Sequence, residues 1–445
     1  MNDITAFLKY CLGYKGNMSR VIAGMNWHEL YSFASKQALL GLCFEGIERL
    51  GEEYPEELKQ NPIGRELLMT WMGKAQQISR QNMKVNAVAG KLFAMLREDG
   101  MRCCVLKGQG NALMYPNPYS RTPGDIDVWI DASRERIMEY AQKKFELEDD
   151  IRLQHLETFL DGVPVELHFF PCSMNNPIYH ARLQKWFRRN ADLQCSHIVG
   201  LPDGTGDIAI PTTAFNVIYQ LTHLYHHFFD EGIGMRQIID YFLVVNDFSK
   251  NVFLNNDLSN HPVNFSNHPV PLSKEGSTFS PSPSSSGSGD VTAPSRCSEP
   301  LRSKDGGPSK VSPDCAGWDR LAIEGDNSAG STTVVTSSAS TALVVVQREL
   351  KYLGLWKFAG AVMYVLHETL GLSEEKMIAP MDEKRGKLLL AEILNGGNFG
   401  KHFTKYGHFT QQGMAKKYFL KIWRNMHFVR YFPAEALSEP IFRTW

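Results

Sequence analysis

Apolar positions along this chain recur with two different periods, and between them they divide it into helical, strand-like and patternless stretches. The first hundred residues carry the helical period. Trp27 to Leu50 is amphipathic, and between Glu66 and Glu98 the positions Leu68, Met72, Ala75, Ile78, Val85, Val88, Leu92 and Leu96 recur at spacings of three, four or seven. Such spacing puts them on one face of a long helix, and the stripe reads as core. Gly100 ends that helix, and Cys103 to Leu106 is a short apolar run that reads as a buried strand. Asp131 or Ser133 is positioned to cap a following helix that continues to about Lys144. Further helices are expected at about Ile178–Arg189, Thr213–Phe229 and Met235–Asn246, with a loop containing Pro202-Asp203-Gly204-Thr205-Gly206 before the second of them.

The period of two appears in Gly124-Asp125-Ile126-Asp127-Val128-Trp129. Side chains alternate faces along a strand, so Asp125 and Asp127 share one face while Ile126, Val128 and Ile130 point to the core. Arg152–Leu160 and Val163–Phe169 flank Asp161-Gly162, a two-residue hairpin signal. In the second of these strands Val163, Val165, Leu167 and Phe169 are the apolar face, and Glu166 and His168 lie on the other. Pro164 lacks an N–H, which predicts that this strand starts at an edge or a bulge. If the two acidic strands are neighbours, Asp125, Asp127 and Glu166 converge. Asp149, Asp150, Glu157 and Asp161 compete with Glu166 for the third place. Carboxylates held side by side repel, and oxygen-only ligation suits Mg²⁺ and phosphate chemistry.

The segment ahead of the acids fits the same chemistry. Lys107-Gly108-Gln109-Gly110 stands where a strand turns into a helix-compatible stretch, and glycines there let backbone N–H groups approach a phosphate. Lys107 and Arg121 are cations placed to neutralise a polyphosphate. His223 and His227 are four apart on a helix and could ligate zinc, but the glutamate of a His-Glu-x-x-His pair is missing and no third ligand follows at standard spacing. The pair therefore reads as a polar helix face. Arg236 and Asp240, also four apart, read as an intrahelical ion pair or as substrate contacts.

Composition narrows the class. A chain of 445 residues has room for two or three domains, and 43% hydrophobic and 21% charged residues are ordinary for a soluble enzyme. A net charge of −1 argues against a general nucleic-acid binder. The eight cysteines show no Cys-x-x-Cys spacing. Together with an N-terminus that has no basic region ahead of an apolar stretch, they predict a reducing, cytoplasmic setting. Leu353 to Leu366 is interrupted by Lys357 and too short to span a bilayer, so no membrane partner is expected. From about 255 to 341 the pattern is lost: the stretch is rich in Ser, Pro, Gly, Asp and Asn, and Ser259-Asn260-His261-Pro262-Val263 recurs as Ser266-Asn267-His268-Pro269-Val270. Such sequence buries too little apolar area to offset its ordering entropy, so a disordered insertion is expected. The helical pattern stops near Leu254 and resumes at Gln347, with Leu350, Leu353, Leu355, Phe358 and Val362 as its apolar positions, and a domain tolerates a long surface insertion at small cost.

Leu106-Lys107-Gly108, Arg121, Gly124-Asp125-Ile126-Asp127 and Val165-Glu166-Leu167-His168 together resemble the uncharacterised bacterial nucleotidyltransferases of the polymerase-β-like superfamily. The turn departs from the superfamily's usual Gly-Gly or Gly-Ser form. The resemblance continues in Leu221-Thr222-His223-Leu224-Tyr225-His226-His227 and Gly234-Met235-Arg236-Gln237-Ile238-Ile239-Asp240. It continues more weakly in Gly396-Gly397-Asn398-Phe399-Gly400 and Phe432-Pro433-Ala434-Glu435-Ala436-Leu437, and covers roughly residues 1–250 and 346–445. It implies an α+β fold in which a polymerase-β-like nucleotidyltransferase core at 100–205, a small mixed sheet with helices, is flanked by helical regions at 1–99 and at 206–254 with 342–445. It implies Mg²⁺-dependent transfer of a nucleoside monophosphate from a nucleoside triphosphate such as ATP to an acceptor hydroxyl, with release of pyrophosphate. Asp125, Asp127 and Glu166 would hold one Mg²⁺ or a pair, with Glu166 alternatively the base on the acceptor. Lys107, Gly108, Gly110 and Arg121 would hold the nucleotide, and His168, His223, His227, Arg236 and Asp240 would line the cleft and select the acceptor. A small molecule or a protein suits the neutral net charge better than a long nucleic acid. A catalytically silent nucleotide- or protein-binding module on the same fold and a metal hydrolase centred on the histidines are the alternatives.

Overall fold

The computed structural model describes residues 2–145, 147–257, 337–401 and 414–444. The greater part of the insertion expected at 255–341 lies outside the described residues. The fold is α+β. Its sheet has five strands, β1 (Cys103–Val105), β2 (Ile126–Ile130), β3 (Leu147–Ile151), β4 (His155–Leu160) and β5 (Val163–His168), in the order β1-β2-β5-β4-β3. Only the β2–β5 pair is parallel, so the sheet is mixed. Asp161 and Gly162 take φ of 50° and 70°, the double positive φ of a primed hairpin turn whose twist matches the strands it joins. That turn sets the register of β4 on β5 with Glu157 opposite Glu166 and His155 opposite His168. Pro164 does not put β5 at an edge, since β5 lies between β2 and β4. Its missing N–H is tolerated because the ladder to β2 begins one residue later, at Val165 opposite Ile126.

The sheet separates two apolar layers. Ile126, Val128, Ile130, Val165 and Leu167 pack against Val85, Val88, Ala89, Leu92 and Leu96 of the long helix Arg65–Glu98 and against Ile137 and Ala141 of helix Arg134–Lys144. The predicted stripe is therefore core, fully buried in its second half and half-buried at Leu68, Met72, Ala75 and Ile78. On the opposite face Trp129 lies within 6.1 Å of the Phe187 ring and 6.2 Å of the Phe215 ring, contributed by helices Pro177–Ser196 and Thr213–Asp230. Ser133, not Asp131, caps helix Arg134–Lys144, accepting from Arg136 N, while Asp131 is engaged by Arg102.

Several expected helices differ in extent: Ile178–Arg189 runs on to Ser196, Met235–Asn246 runs on to Asp257, and two others change at a break or a start. Trp27–Leu50 is broken into Trp27–Lys36 and Leu40–Glu53, with Ala38 at φ 56° between them. Hydrogen bonds from distant segments hold the break: Gln37 Nε2 donates to Ile393 O, Gln37 Oε1 accepts from Met235 N, and Ala38 O accepts from Thr122 Oγ1. After the insertion the helix begins at Ser337, ahead of the expected Gln347, and runs to Tyr352. The valine run joins it because Val346 and Leu350 bury toward the core, although Val344 and Val345 remain exposed. Leu350, Leu353, Leu355, Phe358 and Val362 are all fully buried, as their spacing predicts. No helix among the described residues is long and apolar enough to cross a membrane.

Candidate active site

Register alone builds the acidic wall. Asp127 on β2 stands opposite Glu166 on β5, and Asp125 immediately precedes β2 on the same face. One oxygen from each of these carboxylates lies within 4.8 Å of the others. They open onto a cleft of about 630 Å³ whose other walls come from helices Thr213–Asp230 and Met235–Asp257 and from the loop Gly397–Lys401. Asp127 is 3% exposed while Glu166 is half-buried, so the repulsion between them is not dissipated by water.

Two basic side chains offset part of that charge. His168, also on the acidic face of β5, places Nε2 3.0 Å from Asp127 Oδ1 and 3.1 Å from Glu166 Oε2. Burial works against the imidazolium, but these two carboxylates outweigh it and lift its pKa to about 9. The Gln154 amide lies 3.2 Å from the other ring nitrogen. Lys107 Nζ is 3.1 Å from Asp127 Oδ1. Its burial also disfavours charge, and Asp127, Asp125 and Glu166 reverse that, holding its pKa above the ordinary lysine value. Glu166 is held below the usual carboxylate range, because His168 outweighs the cost of burial. With Lys107 and His168 both cationic, three carboxylates still exceed them by one charge, and these three offer only oxygen. This set fits a hard divalent cation.

The glycine turn and the histidines meet behind Lys107. Gly108 has φ 54° and lines the cleft. Gly110 does not line it, and a Cβ there would press on Ile210 Cγ2 at 3.0 Å. Its lack of a side chain thus serves packing against Ile210. Lys107 Nζ also contacts His223 Nε2 at 2.8 Å, and His223 Nε2 lies 3.0 Å from His227 Nε2. Burial and the neighbouring Lys107 push both histidines well below the ordinary value, His227 to about 3 with His226 contributing. They are neutral at physiological pH. Neither belongs to a group of three metal-capable side chains among the described residues.

Arg236 and Asp240 do not form the intrahelical pair that their spacing suggests. Asp240 accepts a fork from Arg121, at 2.9 Å from Nε and 2.8 Å from Nη2, and a third bond from Tyr115 Oη at 2.7 Å. Both members of the fork are buried, at 4% and 7% side-chain exposure. Burial penalises the Asp240 carboxylate, but Arg121 outweighs it and pulls its pKa down. Arg121 thus braces the loop before β2 against the helical region, and Asn82 of the long helix holds the same loop through Tyr119 O and Arg121 O. Arg236 instead donates from Nη1 to Thr122 O.

Several cleft residues escape a motif-based reading. His155 faces Glu166 Oε2 at 3.4 Å and Glu157 Oε1 at 3.5 Å, and His155, Glu166 and His168 form a second compact group of metal-capable side chains. A signal for it exists: the two-residue turn at Asp161-Gly162 fixes the pairing, and counting outward from it puts His155 beside His168. No comparable signal marks Gln154, while Gln237 and Phe399 stand in stretches that carry the family resemblance without a role of their own; the Phe399 loop packs backbone to backbone on Asp230–Gly234, with a Cβ at Gly400 clashing with Glu231 O.

The sequence pattern of a family described as an uncharacterised nucleotidyltransferase matches residues 23–259. No curated protein and no solved structure matches the chain.

Proposed function

The chain belongs to this nucleotidyltransferase family, and from that premise we propose that it transfers a nucleoside monophosphate from a nucleoside triphosphate to an acceptor hydroxyl, with Mg²⁺, releasing pyrophosphate. The observation that carries the reading is the register of Asp127 on Glu166, which gathers three carboxylates at the mouth of one cleft. Asp125, Asp127 and Glu166 would hold the metal, one ion or a pair. Bound there, Mg²⁺ would neutralise phosphate oxygens and polarise the phosphorus under attack.

The protein's own groups do the rest. Lys107 presents a charged ammonium at the foot of the acidic wall, where it balances the negative charge that develops on the departing pyrophosphate. Gly108 lets the backbone come close to the phosphates. His168 bonds Asp127 and Glu166 through one nitrogen and so fixes the orientation of both carboxylates, a positioning role of the kind that outer residues play around metal ligands. Glu166 serves as a ligand in this reading because it stands in the same cluster as the aspartates and shares His168 with Asp127. His223 and His227, neutral and meeting edge to face beside Lys107, keep that ammonium directed at the cleft. The same core, flanked by helices on both sides in sequence, would form the catalytic domain, and the helical region would contribute the acceptor side. A cytoplasmic location accords with this chemistry and with the free thiols of Cys11, Cys43, Cys103, Cys104, Cys172 and Cys195.

Incubation of the chain with each α-labelled nucleoside triphosphate, Mg²⁺ and a cell lysate tests the reading. Label should appear on an acceptor with the native chain and not with Asp127→Ala. Equal labelling by both proteins would remove the carboxylate cluster from the reaction.

A further inference from the structure

The cleft contains one basic side chain that its own structure does not account for. Among the described residues its cationic side chains are Lys107, Arg121, Arg152, His168, Arg236 and Lys401, and His168 is held between Asp127 and Glu166. Lys107 is paired with Asp127, Arg121 is forked onto Asp240, and Arg152 lies 2.9 Å from Glu157. Lys401 is exposed, and water solvates it. Arg236 is 8% exposed and has no carboxylate within ion-pair distance among the described residues, because Arg121 has taken both oxygens of Asp240. Its hydrogen bonds among those residues reduce to Nη1 on Thr122 O, and its Nε is buried with no partner at all. Burial and the nearby Arg121 lower its affinity for a proton by more than Asp240 and Asp125, neither of them in ion-pair contact with it, raise it. A desolvated cation without a counter-ion is costly, and native structures rarely keep one unless something binds it.

The surroundings favour a ligand over strain. Gln237 Nε2, a donor, is also buried without a partner among the described residues, and it lines the cleft beside Arg236. The Phe399 ring lies 5.6 Å from the guanidinium carbon and limits its movement. Thr122 O anchors it from the loop that leads directly into Asp125. The planar fork of an arginine matches two oxygens of a tetrahedral oxyanion.

We infer that Arg236 is an oxyanion subsite that takes a terminal phosphoryl group, on the helical wall of the cleft and across from the three carboxylates. Resting on the nucleotidyltransferase reading, it makes the nucleotide span both walls, with its inner phosphates at the sheet and its outer ones at Arg236. Arg121, the arginine expected from sequence to meet the phosphates, is in this view the brace that leaves Arg236 unpaired.

The test is calorimetric titration of the full chain with ATP, AMP and inorganic pyrophosphate, each with Mg²⁺, for the native protein, Arg236→Gln and Arg236→Lys. Arg236→Gln should weaken ATP and pyrophosphate roughly 10- to 100-fold and leave AMP unchanged. Arg236→Lys should recover part of the loss, since an ammonium restores the charge but not the fork. An ATP-to-AMP affinity ratio and a pyrophosphate affinity that match the native protein in Arg236→Gln would overturn the subsite. Should that variant fail to fold, Arg236→Lys decides: a several-fold fall in the ratio supports the subsite, and an unchanged ratio overturns it. The two readings separate cleanly. Label transfer that is lost in Asp127→Ala, with native ATP affinity in Arg236→Gln, keeps the transferase and removes the subsite. Pyrophosphate binding that needs Arg236, in a chain that binds no nucleotide, does the reverse.

Discussion

The two walls of the cleft are built on different principles. On the sheet wall, four side chains, Asp125, Asp127, Glu166 and His168, come from two neighbouring strands and the residue that leads into one of them, and backbone hydrogen bonds set their spacing. On the helical wall, His227, Arg236, Gln237, Asn398 and Phe399 come from two consecutive helices and a loop far downstream, and side-chain packing sets theirs. The sheet wall carries excess negative charge held in check by Lys107 and His168. The helical wall carries a buried positive charge that its own carboxylate has been turned away from. A polyanion with its counter-ion is the kind of ligand that satisfies both walls at once, and neither wall alone indicates it.

That comparison can be broken most directly at its acidic side. Asp127→Ala should reduce label transfer by on the order of a thousand-fold or more, with the chain still folded by circular dichroism; a loss below tenfold would mean that the sheet wall does not carry the chemistry. Next in size is the brace between the walls. Arg121→Met leaves Asp240 buried with Tyr115 as its remaining bond, and should cost about 3–5 kcal/mol in chemical denaturation. A cost under 1 kcal/mol would show that the fork does not tie the walls together. His168→Asn should keep the fold and weaken Mg²⁺ roughly 10- to 100-fold, read by the Mg²⁺ dependence of nucleotide binding. Native Mg²⁺ dependence in that variant would limit His168 to packing.

The smallest effect concerns the pH response of the helical side. Glu435 is 1% exposed and accepts the backbone N–H of Asn175 and of Asn176, the latter at 3.2 Å. Burial outweighs these bonds and lifts its pKa to about 7. The folded chain therefore holds this proton more tightly than the unfolded chain does. Its contribution to stability is complete below the ordinary glutamate pKa and is lost as pH rises through about 7. Between those limits stability should fall with pH, at no more than ~1.4 kcal/mol per unit for one group. In urea titrations from pH 5 to 8, Glu435→Gln should flatten that slope, and an unaltered slope would assign it to other groups.

Pattern in the sequence was enough for most of the sheet wall. Alternation in Gly124–Trp129 put two aspartates on one face, and the Asp161-Gly162 turn fixed which residues of β4 and β5 face each other. It was enough as well for the long helix, whose stripe is core, and for the buried leucines after the insertion. These succeed because period and turn geometry are local properties of the backbone. Tertiary structure alone decided the rest. The break at Ala38 depends on hydrogen bonds from Ile393, Met235 and Thr122. The place of β5 inside the sheet depends on where the β2 ladder starts. Ile210 sits against Gly110, and Asp240 chose Arg121, 119 residues away, over an arginine one helical turn from it. A side chain's neighbours along one element can be counted from sequence; its partner across a cleft is settled by which competing contacts lose the least hydration and entropy when the walls come together.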